Sequence, residues 1–194
     1  MKKKLVLFLF VIISCFMLTG CGKDGSDMLS GKVNVEISVK DYGLIKLELD
    51  GDTAPITVTN FVNLVNDKFY DGLTFHRIIE GFMIQGGDPL GNGTGGSSKT
   101  IRGEFKSNGV ENNISHKRGV ISMARSSAND SASSQFFIVH QDSTFLDGNY
   151  AAFGHVTEGM DVVDKIAESA KVEDDNGTVL KENQPVIESI KIIK

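Results

Sequence analysis

Two runs of strict alternation constrain this chain more than any other feature. In Val33-Asn34-Val35-Glu36-Ile37-Ser38-Val39 an apolar residue stands at every second position, and Ile45, Leu47 and Leu49 repeat the pattern through Leu44-Ile45-Lys46-Leu47-Glu48-Leu49. A period of two puts all the apolar side chains of an extended strand on one face, whereas a helix would scatter them around its axis. Asp41-Tyr42-Gly43 separates the runs and supplies turn-forming residues, so the pair is expected as a β-hairpin with one buried and one wet face.

Farther along, short apolar runs recur between loops rich in Gly, Ser and Asn: Phe75–Ile79, Phe82–Gln85, Gly119–Met123, Gln135–Val139, Ala151–Val156 and finally Val186–Ile193. Helical spacing occurs twice. Pro55 opens a stretch in which Ile56, Phe61, Val62, Leu64 and Val65 fall on one side, and Asn66-Asp67 ends it after about ten residues. Met160, Val163, Ile166 and Ala167 mark a second helix from about Met160 to Ser169. Eight short strands with two helices predict a mainly β fold, a closed eight-stranded antiparallel barrel capped by two helices. No internal repeat divides residues 32–194, which are expected to form one domain.

The N-terminus has a different character. Lys2, Lys3 and Lys4 precede an apolar run from Leu5 to Leu18, which is short for a membrane span and typical of an export signal. Leu18-Thr19-Gly20-Cys21 resembles the bacterial lipobox, which implies cleavage after residue 20 and a lipid on Cys21. Residues 21–31, rich in Gly, Ser and Asp, are expected to tether the domain to that anchor. The expected location is the cell membrane, facing outward. Loss of residues 1–20 also removes Cys15, so Cys21 alone remains, leaving no internal disulfide and no thiolate cluster. The same cut leaves 17 basic against 25 acidic residues, formally −8. So acidic a chain, with no basic block after the signal, argues against nucleic acid as a partner.

Phe75-His76-Arg77-Ile78-Ile79-Glu80-Gly81-Phe82-Met83-Ile84-Gln85-Gly86-Gly87-Asp88 carries the chemistry. A guanidinium is costly beside apolar side chains unless it has a task there. This run resembles the signature strand pair of the cyclophilins, the cyclosporin-binding family of peptidyl-prolyl cis/trans isomerases. Ala54–Phe61 resembles the family's first helix and Phe69–Thr74 its lead-in to the catalytic strand. Gly119–Ala124 and Ser133–Ile138 resemble its central pocket segments, and Phe145–Gly154 the loop and strand that follow. The blocks run in family order through nearly all of residues 33–194, which is far more specific than any one motif.

The activity so implied needs no covalent step and no cofactor. Partial double-bond character gives a prolyl amide a rotation barrier of about 18–20 kcal/mol. Bringing exchange from about 10–100 s to about 10 ms needs roughly a 10⁴-fold acceleration, or about 5.5 kcal/mol of preference for the twisted state. A donor that bonds the prolyl nitrogen only when the amide is twisted supplies such a preference. By the resemblance, Arg77 is that donor. Phe82, Met83, Phe137 and Leu146 would grip the proline ring, and Gln85 and Gln135 would orient the peptide and the arginine. Ala124, Arg125 and Ser126 would meet the substrate through their backbone, Gly93 would form the rim, and His76 would line the site. The implied partners are proline-containing segments of exported polypeptides, met by a monomer whose only link to the membrane is the lipid. A holdase that grips such segments with little turnover is the alternative, disfavoured because mere binding would not require Arg77.

Three pocket positions depart from the family's pattern. Phe145 stands where many members carry a tryptophan that donates to cyclosporin, so cyclosporin binding is not carried over with the resemblance. Tyr150 replaces a histidine and Arg125 an asparagine, which alters the polarity of the rim. Competing motifs fail on context. Gly91-Asn92-Gly93-Thr94-Gly95-Gly96 satisfies G-x-G-x-x-G, but Ser97-Ser98-Lys99-Thr100 continues as loop where a dinucleotide site needs a helix. His76, His116, His140 and His155 lack metal-ligand spacing, and no G-x-S-x-G elbow marks a hydrolase.

Overall fold

The alternating runs pair as expected. In the computed structural model, which describes residues 28–194, β1 (Lys32–Val39) and β2 (Gly43–Asp50) form an antiparallel hairpin with Val35 opposite Leu47 and Ile37 opposite Ile45. Asp41 takes φ 65° in the turn and Gly43 φ 126°, a conformation glycine reaches without strain. Six further strands follow: β3 (Phe75–Ile79), β4 (Met83–Gly86), β5 (Val120–Met123), β6 (Phe136–Val139), β7 (Ala152–Glu158) and β8 (Ile187–Ile193). Helix α1 covers Pro55–Asn66 and α2 covers Met160–Ser169. The signal segment and Cys21 lie outside the described residues. At the described end of the expected tether, the Leu29 N–H donates to Thr59 Oγ1 and the Gly31 N–H to Asp52 Oδ1, so these residues are fastened to the domain.

The expected closed barrel is not formed. All eight strands belong to one antiparallel sheet of order β3-β4-β6-β5-β7-β2-β1-β8, curled into a half-barrel whose edge strands, β3 and β8, do not pair along their length: they are joined at their starts by the bridge Thr74–Val186 and by the Gly72 N–H bond to Ile187 O at 2.8 Å. The reason lies in what occupies the edge of β3. Segment 177–179 bonds there instead, with the Ile78 N–H donating to Gly177 O at 2.8 Å and the Val179 N–H to His76 O at 3.0 Å. The edge is covered rather than closed, which also protects it from pairing with other chains.

The core lies inside the curl. Phe61 of α1 is fully buried, with ring centroids 5.0 Å from Tyr70, 5.3 Å from Phe153 and 5.6 Å from Phe136. Helix α1 has no capping side chain of its own at Ala54. Its free N–H groups at Ile56 and Thr57 donate instead to the buried Glu104 carboxylate, at 3.0 and 2.8 Å, and the Thr57 hydroxyl adds a bond of 2.7 Å. A carboxylate at a helix N-terminus satisfies orphan donors and the helix dipole together.

Strands β5 and β6 are buried on both faces, which explains why their sequences show no alternation. Phe136 and Ile138 face the core with Ile84, while Phe137 and Val139 face outward into a second apolar cluster with Met83, Val120, Leu146 and Ala152. The outer cluster forms the floor of the site.

Candidate active site

A register shift in the β3–β4 pairing, between Phe75 and Arg77, sets the site's geometry. Regular alternation would send Phe75 and Arg77 to the same face. With His76 as the extra residue, Phe75 enters the core while Arg77 pairs with Gln85 on the outer face, and a bulge of this kind commonly re-aims one side chain beside a functional site. Gln85 pairs in turn with Phe137, and Met83 with Val139, so the polar pair stands directly beside the apolar floor.

These residues line a cavity of about 380 Å³. Phe82, Met83, Phe137 and Leu146 make its apolar part, and Arg77, His76 and Gln85 its polar wall. Gly93, Ala124, Arg125 and Tyr150 complete it, so eleven of the fourteen expected pocket residues converge here. Gln135 and Ser126 line an adjoining hollow instead. Phe145 lies on the rim, 72% exposed and tilted against Phe82 at 5.5 Å, outside the cavity lining.

Arg77 is half-buried and held from two sides. Its Nε–H donates to Asn176 O at 2.8 Å and one Nη1–H to Gln85 Oε1 at 3.2 Å, while Nη2 has no partner among the described residues. Burial pulls the guanidinium below its ordinary pKa, with Tyr150 and Asp174 acting the other way. Gln85 Nε2 donates to Gln135 Oε1 at 2.9 Å, and Gln135 Nε2 donates to the Gly95 and Gly93 carbonyls at 2.7 and 3.1 Å. Because those carbonyls only accept, they settle which end of each amide is which back to Arg77.

The glycine loop is itself fixed by Asp88, whose carboxylate accepts the Leu90, Asn92 and Gly93 N–H groups at 2.8, 3.1 and 2.6 Å. Burial works against the charged Asp88, but these N–H groups and that of Gly95 outweigh it and hold the carboxyl below the usual range. The loop reading of Gly91–Gly96 holds, since no helix follows it. In the segment across the cavity, the Ala124 N–H is committed to Gln135 O and the Ser126 N–H to Ser131 Oγ. The Arg125 N–H and carbonyl have no partner among the described residues, so that backbone is free to bond an extended peptide.

Four lining residues were not anticipated from sequence. Asn92 and Thr94 flank Gly93, and the glycine pattern that singled out the loop offered a signal for them. Asn176 and Thr178 arrive about 100 residues after Arg77, from the segment that covers the β3 edge, and no local pattern marks them.

His76 is 4% exposed and neither ring nitrogen has a hydrogen-bond partner among the described residues. Burial pushes its pKa below the ordinary value, Asp88 pulls it up, and Arg77 adds to the lowering. Burial lowers His116 too, against a 2.8 Å contact with Asp147. For both, the unfolded chain takes up protons first as pH falls. Their contribution to stability is therefore complete above about pH 7 and declines as pH drops from about 6.5 through the folded values. Urea unfolding should show this loss as pH falls below about 7, and His76→Gln should flatten part of it. An unchanged slope in that variant would contradict the assignment to His76.

Comparison with known proteins agrees with this geometry. Residues 34–194 match the family model described as cyclophilin type peptidyl-prolyl cis-trans isomerase/CLD. The chain is 43% identical over 144 residues to peptidyl-prolyl cis-trans isomerase B of Bacillus subtilis, covering 74% of this chain and 92% of the relative. It is 45% identical over 158 residues to peptidyl-prolyl cis-trans isomerase A of Dickeya dadantii, covering 78% and 80%. A crystal structure of a Cryptosporidium parvum cyclophilin type isomerase superposes with a TM-score of 0.74 at 29% identity, over 84% of this chain and 99% of that one. A fold, a pocket and a whole-domain sequence match thus agree, and the chain belongs to the cyclophilin-type peptidyl-prolyl cis-trans isomerases.

Proposed function

We propose that Arg77 drives the isomerisation by donating from its guanidinium to the prolyl nitrogen of a twisted peptide bond. The observation that carries this reading is the state of that side chain. Nε and one Nη1–H are spent on Asn176 and Gln85, which aims the guanidinium, while Nη2 has no partner among the described residues. A donor fixed beforehand needs little reorganisation when the amide nitrogen becomes pyramidal and basic. Phe82, Met83, Phe137 and Leu146 hold the ring, and the Arg125 backbone aligns the flanking peptide. A second structure of the Cryptosporidium parvum enzyme, obtained in the presence of the dipeptide Ala-Pro, superposes with a TM-score of 0.73 at 31% identity, which supports a prolyl ligand for the matching surface here. The test is cis/trans exchange of a proline peptide, followed by NMR with and without the protein. Peptide binding without faster exchange would replace this reading with a holdase.

The same proposal places the enzyme outside the membrane, tied to it by a lipid on Cys21 and acting on polypeptides as they emerge from export. Lys2-Lys3-Lys4, the apolar run and Leu18-Thr19-Gly20-Cys21 support it. A single acyl chain gives marginal, reversible membrane binding, whereas two acyl chains anchor a protein stably. Cys21→Ala should therefore move the protein out of the membrane fraction. Unchanged retention would refute the lipid anchor.

A further inference from the structure

A second pocket of about 330 Å³ adjoins the active-site cavity and shares Gln85, Gly93, Thr94, Ala124 and Arg125 with it. Its charge runs against that of the molecule. The chain is formally −5, yet among the described residues no carboxylate lines either pocket, and the ionised side chains that do are Arg77 and Arg125. Apart from Ala124, the remaining lining of the second pocket is amide, glycine and hydroxyl, including Ser126 and Ser133, whose hydroxyls have no partner among the described residues.

Arg125 is fixed without being neutralised. Its Nε–H donates to Asn149 O at 2.9 Å, and Nη1 donates to the Ser126 and Ser127 carbonyls at 3.0 and 3.3 Å. The guanidinium carbon lies 5.1 Å from the Phe105 ring centroid and 4.9 Å from that of Tyr150. Every one of these partners is neutral, and Nη2 is without a partner among the described residues. Other cations on the molecule are treated differently: Arg118 pairs with Asp164, Lys46 with Glu158 and Lys117 with Asp142. Arg125 thus carries an uncompensated charge on a side chain already immobilised by its own carbonyl bonds, so an incoming anion finds it ordered.

We propose that Arg125 makes the second pocket an anion-selecting subsite, so that this enzyme favours prolines with an aspartate or glutamate within about three residues of them in the substrate. The inference rests on the isomerase reading of the adjoining cavity. The two pockets share a wall, and an extended chain advances about 3.3–3.6 Å per residue, so a side chain one to three residues from a seated proline reaches the second pocket. A lysine at that position would meet like charge, with no carboxylate in either lining to accept it. Because Arg125 is partly open to solvent, the selection should be modest, about two- to five-fold.

The experiment uses purified full-length protein in a non-ionic detergent and a peptide series with one proline. A single Glu, Gln or Lys is scanned from three residues before the proline to two after it, and kcat/KM for exchange is measured by NMR. At the responsive position Glu should exceed Gln by about two- to five-fold, and Lys should fall below Gln. Raising the salt from about 0.02 to 0.5 M should compress the order, because the Debye length shrinks several-fold. Arg125→Lys should keep the order and Arg125→Gln should remove it. Equal rates for Glu and Gln at every position, an order indifferent to salt, or an order that survives in Arg125→Gln would each overturn the subsite. Failure to accelerate any peptide would instead overturn the isomerase reading, and the subsite with it.

Discussion

Replacing Arg77 with alanine should cut the catalysed exchange of a proline peptide by about 10²–10³-fold, the usual loss when one preorganised donor to a transition state is removed. Peptide affinity should change far less, because the apolar floor of Phe82, Met83, Phe137 and Leu146 is untouched and, in the proposed role, would supply most of the ground-state contact. Arg77→Lys should recover only part of the rate. Lysine keeps the charge but lacks the planar fork that bonds Asn176 O and Gln85 Oε1 while still presenting a free donor. Circular dichroism and thermal unfolding should remain close to the parent, since Arg77 lies outside the core. A fall of less than about ten-fold in exchange would remove Arg77 from the central role.

The largest loss of stability should follow Phe61→Ala. Phe61 is fully buried and its ring is in contact with Tyr70, Phe136 and Phe153, which come from three different parts of the chain. Its removal would leave a cavity at the point where α1 meets the inside of the sheet. Buried Phe→Ala changes cost about 3–5 kcal/mol, from lost transfer energy and from the cavity that remains. For a domain of this size that corresponds to a fall of roughly 6–20 °C in thermal midpoint. Phe61→Leu, which keeps most of the apolar volume, should cost less than half as much. Equal losses in the two variants would mean that the aromatic contacts, and not the filled volume, carry the stability.

What was legible in the sequence is what depends on near neighbours. The alternation in β1 and β2 is a property of consecutive residues, and the pairing of Val35 with Leu47 follows once a short turn joins them. The spans of both helices were likewise legible, from Pro55 and from the spacing of Met160, Val163, Ile166 and Ala167. The double apolar runs were only half legible. Phe136-Phe137 could be read as core or as pocket, and the molecule uses one for each, because β6 lies between the inner core and the outer cluster.

The candidate site divides in the same way. Arg77, Gln85, Phe82 and Met83 lie on one hairpin, and family likeness pointed to them together. The sequence by itself therefore determined the strands, the helices, the acidic balance and the residue types of the candidate pocket. Only the tertiary structure decided how these are held. The bulge at His76 that turns Arg77 outward depends on how β3 meets β4, and the cap that Glu104 places on α1 spans 47 residues. Asn176 and Thr178 reach the pocket because segment 177–179 takes the edge of β3. That capture leaves the sheet a half-barrel whose edge strands do not pair along their length, where counting strands led to a closed barrel. The physical reason is common to all of these. Periodicity records which face of its own element a residue occupies, whereas a bulge, a distant cap or a covered edge is settled by competition among hydrogen-bonding groups that meet only after the chain has folded.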